Sequence, residues 1–409
     1  MRRNCLSIMC ESTPTVFLTN SADELTSRSN ELCGNEVTSC RKKVVIHSMQ
    51  IKLFTLLVLV FLSATQAHAA TRIPPDDTHI GYTGRIDFFN QLAPEITWPS
   101  TSVALNFTGR FLSVTLDDQR GANYFNAFVD DDFSHPFVIH CAQGEHTYLV
   151  AKHLNAGSHH FLLTKRTEGE EGWTKFKGIT LADHAQALPS SPKPTRKIEF
   201  YGDSITSGMA NEAALDSGVD NLPSQKNNFL SYAAITARAL NAEPHIISQS
   251  GIGIMISWFD FTMPEFYMQL SAAGKNDSRW DFKQWTPDVV VINLTQNDHW
   301  LIDEQKRIQP VPTDEQRIAA YVEFVNAIRA NYPDATIICA LGSMDATRPG
   351  SKWPGYISSA VTRISTKNPS AKIYTLVFPY TGYNPHPRIG QHHLMAEQLT
   401  QFIRDTMHW

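Results

Sequence analysis

The first hydrophobic pattern in this chain has a period of two. Between residues 71 and 188, apolar residues alternate with polar or small ones in short runs that turn residues separate, namely 103–107, 112–116, 124–129, 137–140, 148–153 and 159–164. Alternation of this kind is typical of strands with one buried face. Because no helical pattern interrupts the runs, we predict an all-β sandwich domain of jelly-roll type over 71–188.

A second pattern follows the Ser- and Pro-rich stretch 189–195, which we interpret as a linker. Helical periodicity now alternates with apolar, strand-like runs at 196–201, 245–248, 288–294, 335–341 and 372–378. The clearest helix follows Thr313 and Gln316, which have the spacing of a capping box. Strands that alternate with helices predict a parallel, doubly wound sheet over 196–409.

The N-terminal seventy residues have a pattern of their own. An apolar run at 53–62 follows the lysine-bearing start at Met49 and ends at the small-residue spacing Ala67-His68-Ala69. The run is too short to span a bilayer comfortably, so we interpret 49–69 as a secretory signal peptide. We expect a secreted or periplasmic protein without membrane attachment after cleavage. Residues 1–48 precede this start, and we interpret them as an over-long start assignment or an unstructured extension.

Charge and cysteine content exclude several classes of protein. The 35 basic and 40 acidic residues give a net charge of −5, which argues against a nucleic-acid partner. Four of the six cysteines lie within 1–48, and only Cys141 and Cys339 remain in the rest of the chain. Their spacing matches no zinc pattern, so we expect two buried free thiols and no metal site.

Candidate chemistry begins at Ser204, which follows the strand-like run 196–201 in the sequence Gly-Asp-Ser. Open α/β folds keep their sites at the carboxyl ends of parallel strands. A nucleophilic serine there needs a base and donors for an oxyanion. Gly253, Asn297 and His386 each follow a later strand or precede the last helix. Taken singly, they are equally typical of a tight loop, a turn asparagine and a structural histidine.

Taken together, these four blocks resemble the SGNH, or GDSL, hydrolase superfamily, because they occur in that family's order across 196–409. The resemblance implies a flavodoxin-like parallel sheet with Ser204 as nucleophile and His386 as base. It also implies an oxyanion hole made by the N–H groups of Ser204 and Gly253 and the side chain of Asn297. No organic cofactor is implied.

The β-sandwich ahead of this domain makes the chain similar to carbohydrate esterase family 2, the acetylxylan esterase group. The resemblance rests on Gly84-Arg85, on 164–168 and 176–178, and on the pattern from His386 to Met395 near the C-terminus. It implies that His392 is a structural residue of the last helix.

Two departures from the family pattern stand near the site. Thr295-Gln296 precedes Asn297 where Gly-Thr is usual, and Asn384 stands two residues before His386 where an aspartate is common. An asparagine cannot supply the charge that stabilises an imidazolium. We therefore expect a Ser-His dyad whose histidine a backbone carbonyl holds, with Asn384 as a further candidate for orienting it.

The resulting hypothesis is a secreted esterase that removes acetyl groups from plant cell-wall polysaccharide such as acetylxylan or acetylglucomannan. Trp300, Trp258 and Trp353 are candidates for stacking on a sugar ring, with core packing as the alternative for each. Two other functions stay open: a catalytically degenerate carbohydrate-binding protein, and an SGNH esterase that acts on a lipid or peptidoglycan ester.

Overall fold

The computed structural model describes residues 70–382 and 386–409. The signal-peptide prediction, the interpretation of 1–48 and the prediction for Asn384 lie outside these residues. Within the described ranges, every helix is too short or too polar to cross a bilayer.

Two antiparallel sheets form the N-terminal half and confirm the predicted all-β sandwich. One sheet has the order β3-β4-β11-β6-β9, with β1 beside β11, and the other has the order β12-β5-β10-β7-β8, with β2 beside β5. The strands are β1 (Thr71–Ile73), β2 (Gly81–Thr83), β3 (Ile86–Asp87), β4 (Glu95–Ile96), β5 (Ser102–Thr108), β6 (Phe111–Asp118), β7 (Tyr124–Val129), β8 (Phe137–His140), β9 (Gly144–Lys152), β10 (Ser158–Lys165), β11 (Thr174–Leu181) and β12 (Ala187–Leu188).

The apolar positions of the period-two pattern are the buried positions of the strands. In β5, Val103, Leu105 and Phe107 are buried and the residues between them are not. The pattern did not predict β11, although this strand pairs with β6 along its whole length. A bulge shifts the register of β11 between Phe176 and Gly178, and such an extra residue breaks the alternation on which the prediction depends.

A five-stranded parallel sheet forms the C-terminal half, in the order β14-β13-β15-β16-β17. This is the order of a flavodoxin-like sheet, as predicted. Its strands are β13 (Arg196–Gly202), β14 (Ala242–Ser248), β15 (Val289–Asn293), β16 (Thr336–Leu341) and β17 (Ile373–Val377). The helices are α1 (Ser204–Ser207), α2 (Tyr232–Ala239), α3 (Met263–Phe266), α4 (Gln296–Asp298), α5 (Asp314–Asn331), α6 (Trp353–Lys367) and α7 (Ile389–Met407).

Two local predictions for this half, a fully buried strand and a helix capping box, agree with the structure. All five residues of β15 are buried, as expected of a strand covered on both faces. At the start of α5, Thr313 Oγ1 accepts from the Gln316 N–H at 3.2 Å, and Gln316 Oε1 accepts from the Thr313 N–H at 2.8 Å. The predicted capping box is therefore confirmed.

The sandwich and the parallel sheet pack together as parts of one unit. Arg85 of the sandwich is fully buried, donates to Glu199 Oε1 at 2.8 Å and donates to the Tyr267 carbonyl at 2.6 Å. Trp98 of the sandwich donates from Nε1 to the Leu270 carbonyl at 2.7 Å. Because Glu199 lies on β13, the sandwich is anchored to the strand that leads to Ser204.

Cys141 and Cys339 are both buried and form no disulfide, which confirms the prediction of two free thiols. Burial raises the pKa of the Cys339 thiol to about 12. A thiol with so high a pKa is protonated at neutral pH and is a poor nucleophile.

Candidate active site

Ser204 lies where β13 gives way to α1, at the carboxyl end of the central part of the sheet. Asp203 caps the helix, because its Oδ1 accepts from the Ile205 N–H at 3.0 Å. Gly202 is needed at this turn, since a Cβ there would lie 1.9 Å from Thr206 Oγ1. This close approach of strand and helix fixes the position of the Ser204 side chain.

His386 connects Ser204 to a carboxylate. Its Nε2 lies 3.0 Å from Ser204 Oγ, and its Nδ1 lies 2.6 Å from Asp220 Oδ2. The hydrogen bond from His386 lowers the pKa of Asp220, more than partial burial raises it. An ionised Asp220 accepts a hydrogen bond from the Nδ1–H group of His386, which keeps the Nδ1 tautomer and leaves Nε2 free to accept the proton of the Ser204 hydroxyl.

The expectation of a Ser-His dyad held by a backbone carbonyl is therefore wrong. The missing charge comes from Asp220, more than 160 residues before His386, and not from its neighbourhood in the chain. No signal in the sequence marked this residue, because 209–227 has no periodicity and Asp220 is one of 40 acidic residues.

Arg388 is a second residue that sequence reasoning missed. It is buried, and its Nη1 donates to the carbonyls of His386 at 3.0 Å and Ala210 at 3.1 Å. Its Nη2 donates to the Ala214 carbonyl at 3.2 Å. Arg388 thus joins the backbone of the histidine loop to the segment that leads to Asp220.

Asn297 and Asp298, which follow β15, hold the loop that contains Gly253, which follows β14. Asn297 Nδ2 donates to the Ile252 carbonyl at 2.9 Å, which uses one of its two amide N–H groups. The carboxylate of Asp298 accepts from the N–H groups of Ile254 at 2.9 Å and Met255 at 2.6 Å. Burial raises the pKa of Asp298 to about 6, against the effect of these N–H donors.

Gly253 has a contact that its predicted role did not include. Its N–H donates to Ser257 Oγ at 3.1 Å. An oxyanion that binds the Gly253 N–H has to share this donor with Ser257 Oγ or displace Ser257 Oγ from it. A larger residue does not fit here, because a Cβ would lie 2.1 Å from the Ile256 carbonyl oxygen.

Thr295 takes the place of the usual family glycine in a left-handed conformation, with φ at 83°. It is buried, and within the described residues its Oγ1 has no hydrogen-bond partner. A β-branched residue in this region costs about 1–3 kcal/mol of backbone strain. The next residue, Gln296, accepts from the Ala346 N–H at 3.1 Å and so ties this turn to the loop after β16.

The three candidate tryptophans differ in exposure. Trp258 is 48% exposed and Trp300 is 37% exposed, whereas Trp353 is only 3% exposed. Trp353 packs in the core of the parallel-sheet half, and its Nε1 donates to Asp303 at 2.7 Å. The candidate role of Trp353 in sugar stacking is therefore wrong. Trp258 lies close to the Gly253 loop, because its N–H donates to the Gly251 carbonyl at 3.0 Å.

His392 packs inside the parallel-sheet half and forms no hydrogen bond with Ser204 or Asp220 among the described residues. It lies in α7, is fully buried, and accepts from the Tyr232 N–H through Nδ1 at 3.1 Å. Burial lowers its pKa to about 3, so the ring is neutral. This agrees with the structural role that the resemblance implied.

Comparison with known proteins identifies the two halves. Residues 82–192 match the family described as carbohydrate esterase 2 N-terminal, and residues 200–356 match the GDSL-like lipase/acylhydrolase family. A family two carbohydrate esterase from Clostridium thermocellum, solved in complex with cellohexaose, is 34% identical with a TM-score of 0.72, and the match covers 81% of this chain and 99% of that one. The chain belongs to carbohydrate esterase family 2.

Two further relatives extend the comparison. "Cellulase/esterase CelE" of Acetivibrio thermocellus is 35% identical over 348 residues, which cover 82% of this chain and 40% of that protein. This chain therefore spans less than half the length of that relative. An "Acetylxylan esterase / glucomannan deacetylase" of Cellvibrio japonicus is 27% identical over 372 residues, which cover 87% of this chain and 99% of that protein.

Proposed function

We propose that this family 2 esterase is a serine hydrolase that removes O-acetyl groups from plant cell-wall polysaccharide. The observation that carries the proposal is the line of hydrogen bonds from Ser204 through His386 to Asp220. Two relatives from Cellvibrio japonicus are named as acetylxylan esterase and glucomannan deacetylase, which supports the choice of substrate.

In the proposed reaction, Ser204 Oγ attacks the acetyl carbonyl carbon while its proton moves to His386 Nε2. The negative charge of Asp220 stabilises the imidazolium that forms. Collapse of the tetrahedral intermediate breaks the bond to the sugar oxygen, which takes the proton from His386. Water then attacks the acetyl-enzyme with His386 again as base, releasing acetate and restoring the Ser204 hydroxyl.

The oxyanion is held on the side of the Gly253 loop. The donors are the N–H of Ser204, the second amide N–H of Asn297, and the N–H of Gly253 once it is shared with or released from Ser257. A donor of this kind typically contributes about 3–4 kcal/mol to stabilising the transition state. No step in this scheme requires a metal ion or an organic cofactor.

Trp258 and Trp300 are the proposed platforms for the sugar chain. Both are substantially exposed, and both lie on segments that follow a strand next to β13. An aromatic face suits the apolar face of a pyranose ring. We also propose that the protein acts outside the cytoplasm, as a secreted or periplasmic enzyme, on the basis of the signal-peptide pattern at 49–69.

Release of acetate from acetylated xylan, acetylated glucomannan and simple acetylated sugars tests the proposal. The wild type should release acetate, and Ser204→Ala should lower kcat by about 10⁴-fold or more. Ser359→Ala, at an exposed serine of α6, is the matched control and should keep full activity. Polysaccharide binding without any turnover would support a degenerate binding protein instead, and preference for a long-chain acyl ester would support a lipid substrate.

The observation on Asp220 also bears on the degenerate-protein alternative. That alternative depended on the absence of a charge at Asn384. Since Asp220 supplies a carboxylate at 2.6 Å from His386 Nδ1, the geometry favours catalysis.

A further inference from the structure

The segment that carries Asp220 has little regular structure of its own. It runs from Gly208, which ends α1, to Asn227, and it includes the short 3-10 turn Pro223–Gln225. A loop of this length with so little regular structure is held in one conformation only by contacts with its surroundings. We call 208–227 the acid loop.

Arg166 supplies such contacts from the β-sandwich. It directly follows β10 and is only 3% exposed. We call the part of the acid loop before Asp220 its incoming limb and the part after Asp220 its outgoing limb. On the incoming limb, Nη2 of Arg166 forms an ion pair with the carboxylate of Glu212. On the outgoing limb, Nη2 donates to the Ser224 carbonyl at 3.2 Å and Nε donates to the Lys226 carbonyl at 3.1 Å. One guanidinium therefore joins both limbs, a geometry that the planar fork of arginine suits and a lysine ammonium does not.

A short series of contacts leads from this joint to Asp220. Gln225 lies between the two carbonyls that Arg166 holds, and the Glu212 N–H donates to the Gln225 carbonyl at 3.2 Å. The side chain of Gln225 donates from Nε2 to the Val219 carbonyl at 3.0 Å. Val219 is the residue before Asp220, so a shift of 224–226 moves the carboxylate that faces His386.

Residues other than Arg166 also hold the ends of the acid loop. Lys226 Nζ lies 2.7 Å from Glu168 Oε1, and Glu168 Oε2 accepts from Ser207 Oγ at 2.8 Å. Arg388 holds the incoming limb through the Ala210 and Ala214 carbonyls. Loss of Arg166 alone should therefore loosen the outgoing limb without releasing the whole loop.

We propose that Arg166 is a positioning residue of this esterase, which clamps the two limbs of the acid loop so that Asp220 meets His386. The β-sandwich is then a part of the catalytic apparatus and not only an attached domain. The inference rests on the proposed function, because a contribution to catalysis presupposes that Ser204, His386 and Asp220 act together.

A double-mutant cycle on hydrolysis of 4-nitrophenyl acetate tests the inference. Arg166→Met should lower kcat by about 10- to 100-fold and change KM by less than about twofold, because the acid is misplaced while the ester site is intact. In the Asp220→Asn background, the same substitution should lower kcat by no more than about threefold, since residues that act through each other are not additive. Fully multiplicative losses would overturn the proposal, as would an unchanged kcat in Arg166→Met.

Two further variants guard against a general loss of folding. Glu212→Gln removes the partner charge from the partly exposed end of the ion pair and should show a smaller loss of kcat with the same non-additivity. If Arg166→Met does not fold, this variant decides. Arg72→Met, at an arginine of the sandwich that donates an exposed hydrogen bond of 3.4 Å to the Lys177 carbonyl, is the control and should behave as wild type.

Amide hydrogen exchange separates this inference from the proposed function. Arg166→Met should increase exchange across 212–226 and leave the strands of the parallel sheet unchanged, whatever the substrate of the enzyme is. If the wild type hydrolyses no acetyl ester, the proposed function fails while the exchange experiment still reports on the clamp. Unchanged exchange in 212–226 would overturn the clamp even in an active esterase.

Discussion

The two sides of Ser204 are built in different ways. On the oxyanion side, Asn297 and Asp298 bind the Gly253 loop directly, and both segments follow strands that pair with β13. On the acid–base side, His386 and Asp220 themselves lie in neither a helix nor a strand, and the backbone around them is held by Arg388 and by Arg166 of the sandwich. The sheet therefore determines one half of the site, and tertiary contacts between side chains and loops determine the other.

This difference explains which half of the site the sequence predicts. Ser204, Gly253 and Asn297 are predicted because each comes shortly after a strand that its apolar residues make visible, and because their order along the chain matches the family pattern. His386 is found through the family pattern before the last helix. Asp220 is not found, because a loop residue whose position depends on Arg166 and Arg388 leaves no periodic or spacing signal in the chain.

The largest loss of activity is expected for a substitution on the acid–base side. Asp220→Asn keeps the size of the side chain but removes the charge that stabilises the imidazolium, so kcat on an acetyl ester should fall by about 10³- to 10⁴-fold. Asp216→Asn, at an exposed aspartate of the same loop, is the matched control and should keep its activity.

Asn384→Ala completes this test, because Asn384 was the alternative candidate for orienting His386. It should retain most of its activity if Asp220 is the acid. A thousandfold loss in Asn384→Ala together with a small loss in Asp220→Asn would reverse the assignment.

A second prediction concerns how firmly the sandwich is tied to the acid–base side. Glu168→Gln should lower the free energy of unfolding by about 3 kcal/mol at neutral pH, because it leaves the buried Lys226 ammonium with only part of its counter-charge. Burial opposes the charge of Glu168, but the Lys226 ammonium and the hydrogen bonds from Lys226, Ser250 and Ser207 together outweigh burial and lower the pKa of Glu168 below the ordinary value of 4.5.

The sign of the pH dependence follows from that direction. A carboxylate whose pKa is lowered by folding stabilises the fold above its unfolded pKa, and this stability is lost as the pH falls through the folded pKa. Denaturant unfolding of wild type and Glu168→Gln should therefore differ by a constant amount above pH 5, and the difference should shrink below about pH 4.5. A difference that grows on acidification would contradict the assignment of Glu168 as the ionised partner.

A third prediction tests the oxyanion side. Asp298→Asn should lower kcat by about 10- to 100-fold with a small change in KM, because an amide presents N–H groups to at least one of the backbone N–H donors that the carboxylate now binds. The loss should multiply with that of Asp220→Asn, since the two carboxylates bind different partners and share no contact in the structure's described residues. Strong non-additivity in this double mutant would show that the two sides are coupled and would weaken the comparison.

The smallest effect is expected at Thr295. Its backbone is strained at a φ of 83°, whereas the family pattern has a glycine at this position. Thr295→Gly removes the cost of a β-branched residue at a φ of 83° but adds chain entropy to the unfolded state. The net result should be a gain of about 1 kcal/mol or less in the free energy of unfolding, measured by denaturant titration, with kcat within about twofold of wild type. A clear loss of activity would instead mean that the threonine side chain, and not only the backbone conformation, holds Asn297 in place, so that this half of the site is not fixed by the sheet alone.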